Sequence, residues 1–158
     1  MSKAFFDAVR RSLFGGRLNQ HQVDGMNKII AYGLENGDSR PDIAYVLATI
    51  YHETARWMQP IREGARRYGP SYSDRSARRA VTAIYNKGII STNYSDPAGP
   101  YDQSYYGRGL VQITWYDNYR KFYTGRANIT ATPSDKLDIN ANVGYVTGHT
   151  QIPWEAGG

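Results

Sequence analysis

Ile43–Gly64 reads IAYVLATIYHETARWMQPIREG, and this stretch decides the fold class. Pro41 suits the first turn of a helix, where its missing N–H costs nothing. Ile43, Val46, Leu47, Ile50, Thr54 and Trp57 then recur at helical spacing, so the pattern predicts one amphipathic helix from about Pro41 to Met58. Glu53 falls between Ile50 and Trp57, at the rim of that apolar face. A carboxyl group there would be partly desolvated, and desolvation raises its pKa towards the range a general acid needs near neutral pH. Glu63 follows Pro60 and precedes Gly64, where the helix should already have ended. Taken singly, the two acids are ordinary: a solvated helix residue and a loop carboxylate. As a pair they are more informative. One acid on a rigid helix and one on the next loop can face each other across a groove, and glycoside hydrolysis needs two such carboxyl groups.

Working outward towards the N-terminus, Ser2 can cap a first helix ending near Leu13, with Phe5, Val9 and Leu13 on one face. Gly15-Gly16 closes it. Asn19 and Gln22 have capping-box spacing, and Val23, Met26, Ile29, Ile30 and Leu34 follow on a second helix that Gly37 terminates. On the C-terminal side, residues 59–72 are rich in Arg, Gly and Pro and read as a loop. Arg62, Arg66 and Arg67 flank Glu63 there; they either hold that acid ionised or are plain surface charges. Ser73 or Asp74 caps a fourth helix whose Ala77, Ala80, Val81, Ile84 and Tyr85 form an apolar face, with Gly88 at its end. Arg75, Arg78 and Arg79 lie on its other faces as a basic surface. Residues 89–103 read as loop.

The second informative stretch is Tyr105–Tyr119, YYGRGLVQITWYDNY. Gly107 and Gly109 permit a backbone turn or a close approach. The Walker lysine of a phosphate loop is missing. Thr114 with Asp117 has capping-box spacing, leading into Trp115, Tyr119, Phe122 and Tyr123. From about residue 128 the chain is weakly patterned, and the closing IPWEAGG predicts no element.

Composition narrows the function classes. The 158 residues suit one domain, 41% are hydrophobic, and no apolar run is long enough to span a bilayer. Cysteine is absent, which removes disulfides and thiolate chemistry. His21, His52 and His149 lack metal-ligand spacing and no HExxH occurs, so a zinc hydrolase is rejected. Serine-nucleophile catalysis has no G-x-S-x-G support. The net charge of +5 favours a polyanionic partner such as an acidic envelope, while no nucleic-acid motif is present. Fourteen tyrosines and three tryptophans suit core packing and the stacking of sugar rings alike. MSKAFFDAVRRSLF has neither a long apolar segment nor a cleavage site, so synthesis and folding in a cytoplasm are expected.

Two separated motifs in a fixed order carry a resemblance. His52-Glu53-Thr54-Ala55 followed by Glu63-Gly64, then Tyr105 to Thr114 with Asn118-Tyr119, resembles glycoside hydrolase family 19, and more closely its phage endolysin branch. SLFGGRLNQHQVDGMN is similar to the N-terminus of that branch. The resemblance covers roughly residues 5–125. It implies a mainly α, lysozyme-like two-lobed domain with a substrate groove, extending over the whole chain with a divergent or truncated part from about 128. It implies Glu53 as general acid, Glu63 as the carboxylate that activates water, and Thr114 as the hydroxyl that helps hold that water. Tyr105, Gln112 and Asn118 match substrate-contacting positions, and His52 and Arg108 match supporting ones. The expected activity is a muramidase cutting peptidoglycan between N-acetylmuramic acid and N-acetylglucosamine, with a chitinase or a non-catalytic wall-binding protein as alternatives. No metal or organic cofactor is expected, nor stable membrane insertion. A monomer is expected, waiting in the host cytoplasm and reaching the wall at lysis. Plant members carry disulfides; their absence here favours the phage branch.

Overall fold

The computed structural model describes residues 1–98, 102 and 104–119, together with the backbone of 146–147 and 150–151. The architecture is mainly helical. Helices α1 (Lys3–Ser12), α2 (Gln20–Glu35), α3 (Arg40–Glu53) and α4 (Asp74–Asn86) are joined by short turns and by two 3₁₀ turns, Ala65–Arg67 and Gly69–Ser71. Each α-helix starts on a side-chain cap. Ser2 and Ser73 accept the N–H three residues on, and Asn19/Gln22 and Ser39/Asp42 form reciprocal capping boxes. Pro41 sits just inside the start of α3, where no intrahelical donor is lost.

The spacing of Thr54 and Trp57 predicts a helix to about Met58, but α3 stops at Glu53. Thr54 is the reason. Its hydroxyl donates to the Ile50 carbonyl (2.6 Å) and accepts from the Met58 N–H (3.0 Å), so the side chain takes over bonds the next helical turn would need. Ala55 N–H donates to His52 O and Arg56 N–H to Tyr51 O (3.1 and 2.8 Å), the paired bonds of a Schellman closure. Ala55, Arg56 and Met58 take positive φ of 48°, 73° and 54°, a conformation that costs about 1 kcal/mol or more for a residue with a Cβ.

That turn is held by α2. Gln22 Nε2 donates to Arg56 O (3.0 Å), and Gln59 Nε2 donates to His21 O (2.5 Å). Gly25 lets the two segments meet, since a Cβ there would lie 1.8 Å from Met58 O. A glycine inside a helix costs about 1 kcal/mol relative to alanine, and this contact is its physical justification.

Buried side chains among the described residues gather into clusters. Met26, Ile29, Ile50, Met58 and Leu110 form the first, covered by Phe5, Phe6, Val9, Phe14 and others; Ala77, Val81 and Tyr106 form the second, with Tyr72, Ile90 and Tyr94 against it. The Gly107–Leu110 region joins them, because Tyr106 enters one cluster and Leu110 the other. Helical spacing over-assigned the core: Leu13, Leu34 and Tyr85 are exposed.

Among the described residues two short antiparallel pairs add to the helices. β1 (Ile61–Arg62) pairs with β2 (Arg108–Gly109) in the register Ile61↔Gly109 and Arg62↔Arg108. The sequence reading has loop and turn at both places. Two-residue strands so far apart in the chain leave no period-2 signal, so only tertiary contact reveals them. β3 (Val146–Thr147) pairs with β4 (Thr150–Gln151). Apart from that backbone, the expectations for residues 128 onward, for Phe122 and Tyr123, and for His149 fall outside the described residues. Among the described residues no helix is long and apolar enough to cross a membrane.

Candidate functional site

Glu53 occupies the last position of α3, and Glu63 directly follows β1. Both line one depression of about 220 Å³, together with His52, Ala55, Ile61, Arg62, Gly64, Ala65, Arg66 and Gln112. The α3 closure determines how Glu53 is presented. Because the chain reverses at Ala55, the carboxylate stands at a helix end rather than along a packed face. Glu53 and His52 are both exposed, which corrects the expectation of a partly desolvated rim position: continuing the helix to Trp57 would have packed the neighbouring turn, and the helix does not continue. Trp57 instead caps the following loop, its Nε1 donating to Arg66 O (3.1 Å).

Glu63 is half-buried and tied at both backbone and side chain. Its N–H donates to Gly107 O (2.8 Å), and its Oε2 accepts the Gly107 N–H (2.9 Å). Gly107 lies at a point of convergence. A Cβ there would come within 2.9 Å of Gln112 Oε1, 3.2 Å of Glu63 Oε2 and 3.4 Å of Thr114 Oγ1. Only a residue without a side chain lets these three oxygens gather around one backbone position. Of the flanking arginines, Arg62 donates through Nη1 to Tyr72 O (3.0 Å), while Arg66 and Arg67 are exposed. Among the described residues none of the three forms an ion pair with Glu63.

The segment carrying Gln112 and Thr114 is a tight loop closed by reciprocal backbone bonds between Arg108 and Ile113 (3.0 and 3.3 Å). Gln112 adopts a φ of 51° and spends its amide group on Ile61 O and Gly109 O, both 3.0 Å, locking the loop onto β1. Thr114 Oγ1 donates to Gln112 O (3.1 Å). The capping-box spacing puts Thr114 at the helix start, but the helical turn begins at Tyr116 and Trp115, with a φ of 76°, occupies the flanking position. The Thr114 hydroxyl is therefore used within the loop rather than as that cap. Asn118 is exposed and donates to Thr114 O (2.9 Å). Tyr105 is only 3% exposed, its ring set edge-on against Tyr116 and Tyr119. Those ring contacts tie the start of the loop to the turn at Tyr116–Tyr119.

Arg108 lies under the loop, 3% exposed. It donates to Ser104 O (2.8 Å), Tyr106 O (3.4 Å), Tyr119 Oη (3.2 Å) and Asp74 Oδ1 (3.1 Å), and its guanidinium rests 3.6 Å from the centre of the Tyr106 ring. Such a planar fork satisfies several acceptors at once, as a lysine could not. Tyr106 Oη also donates to Asp74 Oδ1. Partial burial acts to raise the Asp74 pKa, but the hydrogen bonds from Tyr106 and Arg108 and the Arg108 charge outweigh it, so the carboxyl is held below its ordinary value. Burial, with the Asp74 hydrogen bond, pushes the Tyr106 hydroxyl up despite the nearby Arg108 charge. Asp74 and Tyr106 were missed as site supports. Asp74 reads in sequence only as a possible cap, and nothing local announces an ion pair to a residue so distant in the chain.

Among the described residues no group of His, Asp and Glu is arranged to hold a metal ion. No protein-family model matches the chain, and no curated protein or solved structure matches it.

Proposed function

We propose that this chain is a peptidoglycan-degrading glycosidase of the phage endolysin type, with a lysozyme-like two-lobed domain, that hydrolyses the β-1,4 bond between N-acetylmuramic acid and N-acetylglucosamine. The observation that carries the reading is that Glu53 and Glu63, from different elements, open onto one depression. Two carboxyl groups across a substrate are what glycoside hydrolysis requires. Glu53 protonates the leaving glycosidic oxygen. Its exposure means that the desolvation suited to a general acid is supplied by the bound glycan covering the α3 end. Glu63 has Oε2 occupied by the Gly107 N–H, so Oε1 is the oxygen that orients and deprotonates the attacking water, with Thr114 as a second contact. Gln112 fixes the loop on which this depends. No metal or organic cofactor takes part. The enzyme acts as a monomer, accumulating in the host cytoplasm and reaching the wall when the inner membrane is opened.

The test is lysis of outer-membrane-stripped Gram-negative cell walls, with new reducing ends measured alongside. Wild type should clear the walls and generate reducing ends, and Glu53→Gln and Glu63→Gln should each lose about 10²-fold or more of the rate. Clearance without reducing ends would sink the hydrolase in favour of a lytic transglycosylase or a peptide-cleaving activity. A folded wild type that binds walls without clearing them would make this a binding protein. Faster turnover of chitin than of peptidoglycan would make it a chitinase with the same two acids.

A further inference from the structure

The chain that follows Glu63 builds a second feature beside the carboxylate pair. Tyr68 and Tyr72 stack, with ring centroids 5.3 Å apart and planes 8° from parallel. Tyr72 is the anchored ring. Its hydroxyl donates to Ser76 O (3.2 Å), its carbonyl accepts from Arg62, and its edge meets Gly64, where a Cβ would lie 3.3 Å from Tyr72 Cε1. Gly64 itself lines the carboxylate depression, so the two features adjoin across Gly64. Tyr68 is the outer ring and is 59% exposed. Its backbone is fixed by an N–H bond to Ala65 O (2.8 Å) and by Ser71 Oγ donating to its carbonyl (2.8 Å). A flat aromatic face, backed by Tyr72 and set on a bonded backbone, is thus presented to solvent, and such preorganisation lowers the entropy cost of binding.

Tyr68 and Tyr72 form one wall of a depression of about 680 Å³, whose polar lining includes Ser73, Ser76 and Arg79. Hydroxyl groups beside an aromatic face suit a sugar ring, which offers an apolar C–H face and a hydroxyl rim. Arg79 also lines the adjoining depression of about 820 Å³ along α4, with Arg75 and Arg78. Two acids lie there as well, Asp74 and Asp96. Asp74 is engaged by Arg108 and Tyr106, and Asp96 accepts from Asn93 Nδ2 (2.8 Å). None of the three arginines forms an ion pair among the described residues, leaving a net positive rim next to the aromatic face.

We infer that the Tyr68–Tyr72 stack and Arg79 form a glycan subsite adjoining the Glu53/Glu63 depression, seating a sugar ring on Tyr68 and the carboxylate of its peptide stem on Arg79. This rests on the glycosidase reading above and extends it. The carboxylate pair alone does not separate peptidoglycan from chitin, whereas a cation beside the neighbouring sugar favours the polymer with acidic stems.

The test measures sedimentation with purified peptidoglycan, with the same glycan strands stripped of their stems by an amidase and then amidated at the lactyl carboxylates that stripping exposes, and with chitin. The full chain carrying Glu53→Gln, which prevents turnover, is compared with versions also carrying Tyr68→Ala, Tyr68→Phe or Arg79→Gln. Tyr68→Ala should weaken binding to both peptidoglycan forms about fivefold, the scale of one aromatic contact, and Tyr68→Phe should restore it. Arg79→Gln should weaken binding about threefold to the stem-bearing polymer alone, and high salt should abolish that difference. Parent-level binding by Tyr68→Ala would overturn the subsite, and equal losses for Arg79→Gln on stem-bearing and stripped strands would overturn stem recognition. Wild type is assayed for reducing ends in parallel. Tyr68-dependent binding without reducing ends keeps the subsite and refutes the hydrolase, whereas neither binding nor cleavage refutes both.

Discussion

Glu53 and Glu63 face the same depression, but different physics holds them. Glu53 ends a helix whose closure is local: Thr54 caps its own helix, Ala55 and Arg56 close it, and α2 restrains the turn from outside. The acid itself is exposed. Glu63 is local in nothing. Its position depends on β2, on the Gly107 amide, and, through the loop after it, on a buried arginine paired with the start of α4. On the proposed reading the difference matches two tasks: an acid that gains its environment from substrate can stand on a simple helix end, while a group that orients water needs a preorganised frame.

That contrast predicts unequal damage from mutation. The largest effect should come from Arg108→Met, which leaves the Ser104 carbonyl without its guanidinium donor and takes one of two donors from both Asp74 and the Tyr106 carbonyl. Breaking such a buried set costs about 3 kcal/mol, at the lower end of the known range because Asp74 is partly solvated. Urea unfolding should show that loss, and activity of the still-folded fraction should fall with it. A stable, fully active Arg108→Met protein would mean the frame under Glu63 is dispensable.

Asp74→Asn sharpens the same point through pH. The folded-state pKa of Asp74 is lowered, so its contribution to stability is present above the unfolded value of about 3.9 and is lost as pH falls through the folded value. Wild type should exceed Asp74→Asn by about 1 kcal/mol at neutral pH, a figure already reduced for solvent screening. The gap should close as the pH drops below about 4. A gap independent of pH would show that the carboxylate charge is not what matters.

The smallest effect belongs to the other region. Ala55→Gly relieves a φ of 48°, and the gain is partly offset by the greater freedom of the unfolded chain. A stabilisation of about 0.5 kcal/mol is expected, measured by thermal unfolding, with no change in the Glu63 frame. Destabilisation would mean that the Ala55 methyl packs against something that matters more than its backbone conformation.

The same division explains what could be read in the sequence. The caps at Ser2, Asn19 and Ser73 and the apolar faces of α2 and α4 are local properties, and they were legible because side-chain spacing and backbone bonding occur within one turn. The end of α3 was not, because Thr54 and Trp57 continue the helical period while the Thr54 hydroxyl diverts the bonding. Thr114 was misplaced by one position for a similar reason: its spacing to Asp117 fits a cap, but its hydroxyl serves the Gln112 carbonyl. The carboxylates stood out as residues. The pairing of Arg62 with Arg108, the role of Asp74, the burial of Tyr105 and the close approach at Gly25 are all long-range, and no spacing rule reaches them.

On the proposed reading Glu53 protonates the leaving group and Glu63 activates water, and dependence on the leaving group separates these roles. Glu53→Gln and Glu63→Gln would each be assayed on cell walls and on a soluble aryl glycoside of the same sugars with a leaving group that needs no protonation. Loss of the acid should cost about 10²-fold or more on walls and little on the activated glycoside, whereas loss of Glu63 should be severe on both. Equal losses for the two variants on both substrates, or a Glu53→Gln protein that lyses walls at the wild-type rate, would contradict the assignment.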